Sequence, residues 1–185
     1  MPKTIAKFKK MGYNEQESGE KWISVVKSGK FPLKSMGKEV RILFSGEYPH
    51  TIDAKGRVIM PVKFREALGE RFVVTKGLDR NLLVFSQEEW QKFYDKLSTL
   101  PLASKSSRDF SRMFLAGAIE CETDKQGRIL ITAPLRAYAS LLKDVTVIGN
   151  GNKVEIWSTE NWNEYIGAID TDAMAESLCE LGIMI

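Results

Sequence analysis

Short apolar runs with strand-like spacing recur along the chain, and turns that contain glycine separate them. Residues 45–52 mix polar and aromatic positions as a half-exposed strand does, and residues 58–60 form an apolar run typical of a short buried strand. Because a tight turn joins these two stretches, they predict a β-hairpin. Residues 71–86 and 145–158 each hold two apolar runs around a polar turn, which predicts a second hairpin in each half of the chain.

Helical spacing follows these hairpins. Ser86 and Glu89 form a capping-box pair, and apolar residues keep helical spacing beyond them. Ser158 begins an equivalent helix, and residues 106–117 show an amphipathic helical pattern of their own. The elements together predict an α+β fold class with a mostly β core and flanking helices.

An internal repeat organises these elements. Residues 46–69 align with residues 117–140 without a gap, and after one inserted residue the match continues through Trp90 and Trp162. The pattern indicates a tandem duplication. Each unit is too short to be a comfortable independent domain, so we expect the two units to share one core.

The motif Asp-x-x-Gly-Arg occurs once in each unit, at residues 53–57 and 124–128. Glycine suits a turn position with positive φ, and the aspartate can accept hydrogen bonds from the amides of its own turn. The residues that we expect to structure the two turns are Asp53, Gly56, Asp124 and Gly127.

The arginine that ends each motif is the first candidate for a DNA contact. A rigid turn would present Arg57 and Arg128 from the start of a strand, and their planar guanidinium suits a phosphate or the O6 and N7 atoms of guanine. The alternative is that each arginine pairs with the aspartate of its own motif and only staples the turn.

Basic residues gather near the motifs although the net charge is only +3. Lysines and arginines on and after the turns are further candidate DNA contacts, and those of the following short helices are equally compatible with a solvated face or an ion pair. These candidates are Lys55, Lys63, Arg65, Lys125 and Arg136. Much of the remaining positive charge lies in residues 1–41, which predict a basic and disordered extension. The extension is either an arm that helps to hold nucleic acid or a tail that follows a wrongly chosen start, and in the second case a chain that begins at Met36 is expected to bind DNA nearly as well.

Several kinds of chemistry find no support in the residues. The spacing of His50, Cys121 and Cys179 predicts no metal site, cofactor site or disulfide, and His50 is expected to be structural. A hydrolase that uses Asp53 and Asp124 is a remote alternative, because a lysine close to each acid lowers its pKa. We therefore expect a protein that is not an enzyme. With no membrane span or secretory signal in the pattern, we expect it in the cytoplasm.

From about residue 42 onward the chain resembles the MraZ family of bacterial transcriptional regulators, which are built from two SpoVT-AbrB-like halves. The resemblance rests on the paired motifs and on segments such as GEYPHTIDAKGRVIMPVKFREALG and VIGNGNKVEIW. It implies two swapped-hairpin halves that form one double-split β-barrel, and ring-like homo-oligomers. It also implies nucleoid association and binding to short direct repeats in double-stranded promoter DNA of the division and cell-wall gene cluster, most often as an autoregulating repressor.

This resemblance divides the chain into five segments. They are the N-terminal extension (1–41), the first SpoVT-AbrB-like half (42–90), connecting helices (91–116), the second half (117–162) and a C-terminal helix (163–185). The resemblance implies no small-molecule substrate and no membrane partner. An AbrB-like oligomeric scaffold or an antitoxin-type module without DNA-reading function remains the alternative.

Three further expectations concern packing. Apolar residues near the C-terminus, together with a helix around Phe110 and Phe114, predict surface for a large homo-oligomer. The C-terminal residues are Met174, Leu178, Leu181 and Ile183. Trp90, Trp157 and Trp162 fall at core positions and predict packing, not base stacking. Thr132 stands where the first unit has Pro61, which leaves the backbone before Arg136 uncertain.

Overall fold

A computed structural model describes residues 44–181 of the 185-residue chain. The predictions made for residues 1–41 and for Ile183 lie outside the described residues. Eight strands form in the described part: β1 (Phe44–Thr51), β2 (Arg57–Ile59), β3 (Arg71–Lys76), β4 (Leu82–Ser86), β5 (Ile119–Glu122), β6 (Arg128–Leu130), β7 (Asp144–Gly151) and β8 (Lys153–Ser158). The same residues hold six helices: α1 (Val62–Leu68), α2 (Gln87–Ser98), α3 (Lys105–Gly117), α4 (Ala133–Tyr138), α5 (Thr159–Gly167) and α6 (Thr171–Glu180).

Side-chain caps start α2 and α5 at the two serines where the sequence predicts them. The Ser86 hydroxyl accepts a hydrogen bond of 3.3 Å from the Glu89 amide, and the Ser158 hydroxyl accepts one of 3.1 Å from the Asn161 amide. Each cap satisfies one of the amides that a helix leaves unpaired at its first turn. The short helices α1 and α4 begin after Pro61 and Thr132, so the two units follow the same path although their residues differ.

The order of strands in the main sheet reflects the internal repeat. Six antiparallel strands run in the order β1-β7-β8-β4-β3-β5, and β2 pairs with β6 in a separate two-stranded ribbon. In the internal repeat β1 corresponds to β5, β2 to β6, β3 to β7 and β4 to β8. Exchanging the two units therefore gives the same strand orders read from the opposite end. The two units are therefore related by a pseudo-twofold arrangement.

Strand pairing crosses between the units at both ends of the sheet. All eight residues of β1 pair with β7, and β5 pairs with β3. The predicted hairpin between residues 45–52 and 58–60 is reduced to a single bridge, Ile52 to Val58, and β2 pairs with β6 of the other unit instead. The predicted hairpins β3–β4 and β7–β8 are confirmed.

The main sheet is open along the described chain, since β1 and β5 end its strand order. The α+β class with a mostly antiparallel sheet is confirmed. The closed double-split barrel, the swapped hairpins and the boundaries of the five predicted segments stay predictions.

Two apolar clusters cover opposite faces of the central strands. Leu82 and Val84 of β4 join the main core, whereas Leu83 and Phe85 of the same strand face the aromatic residues of α2 and α3. The alternation explains why β4 is apolar at successive positions, because a strand covered on both faces has no solvent side.

The helix α3 belongs to this second cluster. Phe114 is 3% exposed and its ring lies 5.0 Å from the ring of Phe93. The expectation that Phe114 supplies free surface for assembly is therefore wrong, because α3 packs the residue against α2 and the sheet. Met174 and Leu181 near the C-terminus are exposed, as expected.

Candidate nucleic-acid interface

The turn of the first motif is closed by hydrogen bonds that the backbone and side-chain oxygens of Asp53 accept. The Gly56 amide donates to the Asp53 carbonyl at 2.8 Å. The Asp53 Oδ1 atom accepts from the amides of Lys55 and Arg57, both at 2.9 Å. Gly56 has φ +80°, a backbone conformation that residues other than glycine rarely adopt.

The second motif reproduces this geometry. The Gly127 amide donates to the Asp124 carbonyl at 2.8 Å, and Asp124 Oδ1 accepts from the amides of Gln126 and Arg128 at 2.9 Å. Gly127 has φ +74°. Since Gln126 uses only its backbone amide in the turn, its exchange for the lysine of the first unit leaves the backbone unchanged.

Each motif arginine forms an ion pair with its own aspartate. In the first unit, Arg57 Nε and Nη2 lie 2.7 and 2.6 Å from Asp53 Oδ2. In the second, Arg128 Nε and Nη2 lie 2.8 and 2.6 Å from Asp124 Oδ2. The internal pairing that we considered as the alternative is thus present in both units.

The ion pair occupies only one edge of each guanidinium. Both donors of Arg57 converge on a single carboxylate oxygen, and its Nη1 atom has no acceptor within residues 44–181. The same holds for Arg128 in that part of the chain. The arginine side chains remain 28% and 24% exposed. An aspartate that holds one edge fixes the orientation of the other edge, so pairing and ligand contact are compatible.

The arginines also set the ionisation of the aspartates. Hydrogen bonds from the Arg57 side chain and amide lower the pKa of Asp53 to about 2, and those from Arg128 lower the pKa of Asp124 to about 2. Each carboxylate is committed to its own arginine. This arrangement does not support the remote hydrolase alternative, which requires one carboxyl group to hold a proton.

The ribbon of β2 and β6 brings the two motifs together. Arg57 pairs with Leu130 and Ile59 pairs with Arg128, so these four side chains share one face of the ribbon. The central pair, Val58 and Ile129, is fully buried on the opposite face. We call the four residues Arg57, Ile59, Arg128 and Leu130 the ribbon face.

Ile59 and Leu130 are residues that the sequence analysis did not identify. Ile59 is 47% exposed and Leu130 is 55% exposed, between two arginines. The prediction that residues 58–60 are uniformly buried is wrong at Ile59, because strand alternation turns it outward. Successive side chains of a strand point to opposite faces, so if Val58 and Met60 are buried, Ile59 between them must face outward. This geometry could have revealed it from the sequence.

The other candidate residues divide into two groups. Lys55 and Lys125 lie exposed on the two turns, and Lys63 lies exposed on α1. Arg65 and Arg136 instead reach across to the turn of the opposite unit. A Cβ atom built on Gly56 would lie 2.7 Å from Arg136 Cζ and closer still to Nη1. Neither arginine therefore lies on a solvated helix face.

The three tryptophans of the prediction are packing residues. Trp157 is 2% exposed and contacts Trp162 with ring centroids 5.4 Å apart, whereas Trp90 packs 6.0 Å from Phe85. The predicted packing role is confirmed. Among residues 44–181, no group of three or more His, Cys, Asp or Glu side chains could hold a metal ion, and no helix is long and apolar enough to cross a membrane.

The chain is similar in sequence to a family of known proteins. A family model described as "MraZ protein" and antitoxin-like matches residues 43–113 and 114–177. A Thermoanaerobacter sp. (strain X514) protein named Transcriptional regulator MraZ is 58% identical over 143 residues, covering 76% of this chain and 100% of the relative. Relatives of the same name from Acetivibrio thermocellus and Halothermothrix orenii are 52% and 48% identical, with the same coverage. These matches confirm the resemblance seen in the paired motifs, and the chain belongs to the MraZ family.

Proposed function

We propose that this chain is a sequence-specific DNA-binding transcriptional regulator, an autoregulating repressor of the division and cell-wall gene cluster. It acts in the cytoplasm at the nucleoid, as a ring-like homo-oligomer on short direct repeats. The observation that carries the proposal is the ribbon face, where one two-stranded ribbon presents both motif arginines. Relatives named Transcriptional regulator MraZ support the regulatory role.

The ribbon face carries two arginines, and we propose that it enters the major groove. A two-stranded β-ribbon fits this groove, where guanine presents two acceptors to an arginine fork. In this proposal the free edges of Arg57 and Arg128 contact phosphate or guanine, and Lys55, Lys63 and Lys125 contact phosphates beside them. Asp53, Gly56, Asp124 and Gly127 keep both turns in the binding geometry. Because each ion pair already orders its arginine, binding costs less side-chain entropy.

Assembly would multiply weak contacts. One ribbon face offers few charged contacts, so a single subunit binds DNA weakly at physiological salt. An oligomer that engages several direct repeats gains effective concentration with every added contact. Repeats read from one side of the duplex must recur about every 10.5 base pairs.

The test is recovery of bound fragments from the host genome by purified full-length protein. We expect enrichment of the promoter upstream of the protein's own gene, with short repeated sequences in the recovered fragments. Recovery of no sequence in preference to others would favour the oligomeric scaffold or antitoxin-type module.

A pair of matched variants separates the ribbon face from general charge. The Arg57→Ala, Arg128→Ala double variant should lose the enriched fragments while it keeps its circular dichroism spectrum. The control variant Lys105→Ala, Arg112→Ala removes the same charge from exposed positions on α3, and it should still recover the enriched fragments. Equal recovery by both double variants would place the DNA contact elsewhere.

A further inference from the structure

Arg65 and Arg136 form a crossed pair of contacts between the two units. Arg136, on α4 of the second unit, places its guanidinium over Gly56 in the turn of the first. Arg65, on α1 of the first unit, covers Gly127 in the turn of the second, where an added Cβ would lie 2.9 Å from Arg65 Nε. The two contacts are equivalent under the exchange of the units.

Backbone hydrogen bonds cross at the same two glycines. The Ile131 amide donates to the Gly56 carbonyl at 2.9 Å, and the Met60 amide donates to the Gly127 carbonyl at 3.0 Å. Each turn is therefore held from its own unit by an aspartate, and from the opposite unit by an amide and a guanidinium.

We propose that Arg65 and Arg136 are positioning residues that each hold the turn of the opposite unit, so that both motif arginines are presented as one rigid body. The inference rests on the proposed function for what the turns contact, but the crossed contacts themselves concern the free protein. In this assignment Arg65 and Arg136 touch no DNA and act through Arg128 and Arg57.

The crossed contacts give each turn glycine a second requirement. Positive φ already favours glycine at positions 56 and 127. The guanidinium also occupies the space where any Cβ atom would lie. A larger residue would displace the arginine of the other unit, so a substitution in one turn would disturb a short helix of the opposite unit.

The two contacts differ in their hydrogen bonding. Arg136 Nη1 donates to the Ile131 carbonyl at 2.7 Å. Arg65 Nε is buried and has no acceptor within the described residues. Loss of Arg136 removes the hydrogen bond that anchors its guanidinium to its own unit, whereas loss of Arg65 removes a buried donor that has no partner among residues 44–181. The first turn should thus depend more on Arg136 than the second depends on Arg65.

Hydrogen exchange of the full-length protein without DNA tests the crossed contacts. Arg136→Met should speed exchange in residues 53–60 about tenfold, and Arg65→Met should speed exchange in residues 124–131 by a smaller factor. Lys63→Met removes the same charge from an exposed position on α1 and should leave both segments unchanged. Exchange that rises only in the unit carrying the substitution would overturn the proposal. If a Met variant does not fold, the Lys variant at that position, which keeps the charge but not the planar fork, must show the same cross-unit effect.

Salt dependence separates positioning from contact. On a duplex recovered by the wild-type protein, Lys63→Met should reduce the slope of log K against log salt by about one per bound subunit. Arg65→Met should weaken binding without changing that slope, because an arginine that touches no phosphate releases no counterion when DNA binds. A reduced slope for Arg65→Met would make it a phosphate contact and overturn its positioning role. If the wild-type protein retains no duplex, the proposed function fails, and the exchange result still decides the crossed contacts.

Discussion

The carboxylate of Asp53 performs two tasks with its two oxygens. One oxygen accepts the amides that close the turn, and the other holds the Arg57 guanidinium. Asp124 divides its oxygens in the same way. Turn geometry and arginine orientation therefore depend on the same ionised group in each unit.

This dependence predicts a change in stability at acidic pH. The pKa values of Asp53 and Asp124 are about 2 in the folded protein, below the ordinary value of 3.8. A lowered pKa means that both groups stabilise the fold fully above pH 4 and lose that contribution as the pH falls toward 2. The melting temperature of the wild type should exceed that of Asp53→Asn, Asp124→Asn near neutral pH, and the difference should shrink between pH 4 and 2. A difference that stays constant across this range would contradict the ion-pair assignment.

The two motif arginines should contribute unequally to DNA affinity. Lys55 lies exposed on the first turn, where the second unit has Gln126, and Lys63 has Pro134 as its equivalent. We expect Arg57→Ala to weaken binding more than Arg128→Ala does. Each substitution should cost no less than one base contact, which is worth about 1 to 3 kcal/mol. Fluorescence anisotropy with the recovered duplex at fixed salt measures both. Equal losses would show that the lysines do not assist the first turn.

Local chemistry made some site residues predictable and left others hidden. Asp53 and Gly56 follow from the demands of a tight turn within five residues. The role of Arg136 does not, because its contact with Gly56 crosses between units far apart in sequence. An arginine in a short helix has the same local pattern whether it faces solvent or another backbone.

At the scale of elements, the ribbon of β2 and β6 is the feature that the sequence did not predict. Strand patterns identified β2, but its partner was expected to be β1 of the same unit. Instead β1 extends along β7 for eight residues, and β2 is left to pair with its equivalent in the other unit. Alternation within a strand reports which residues are buried and does not report which strand lies beside it.

The exposed apolar pair of the ribbon face predicts a contact with thymine. If the ribbon enters the major groove, Ile59 and Leu130 lie where they can cover thymine methyl groups. The double variant Ile59→Ala, Leu130→Ala should then weaken binding by about fourfold for each thymine contacted. This factor corresponds to the roughly 0.8 kcal/mol gained when one methyl-sized group is buried.

Deoxyuridine provides the control for this contact, because it removes only the methyl group of thymine. On a duplex in which deoxyuridine replaces thymine, the wild type should lose affinity and the double Ala variant should change little. An equal loss for both proteins on exchange of thymine for deoxyuridine would show that the apolar pair does not contact the methyl groups.

At the scale of the whole molecule, apolar surface remains exposed on α6. Met174 is 48% exposed and Leu181, directly after the helix, is 75% exposed. The two residues are seven positions apart and so lie on the same side of the helix, and an exposed apolar stripe fits an interface between copies. The helix α5 before it carries further exposed apolar side chains, Tyr165 and Ile166.

We therefore expect a homo-oligomer whose interface includes α6. Light scattering of the wild type at micromolar concentration should give a mass several times the 20.9 kDa of one chain. Met174→Glu, Leu181→Glu should reduce that mass, because a charge buried at an interface without a partner is costly. Glu176→Gln on the same helix is the control and should leave it unchanged. A wild-type particle of 20.9 kDa would refute the prediction.

The pairing of β1 with β7 also has a consequence for synthesis. Phe44 emerges from the ribosome early, whereas its strand partner Gly151 emerges only when most of the chain has been made. During that interval β1 has no strand partner on either edge, and the first unit cannot complete its sheet alone. Neighbouring ribosomes on one messenger hold nascent chains of different lengths close together, and a longer chain whose β7 has emerged can offer it to the β1 of a shorter one. The density of ribosomes on the messenger should therefore affect how often β1 pairs within its own chain and how often it exchanges with a neighbour.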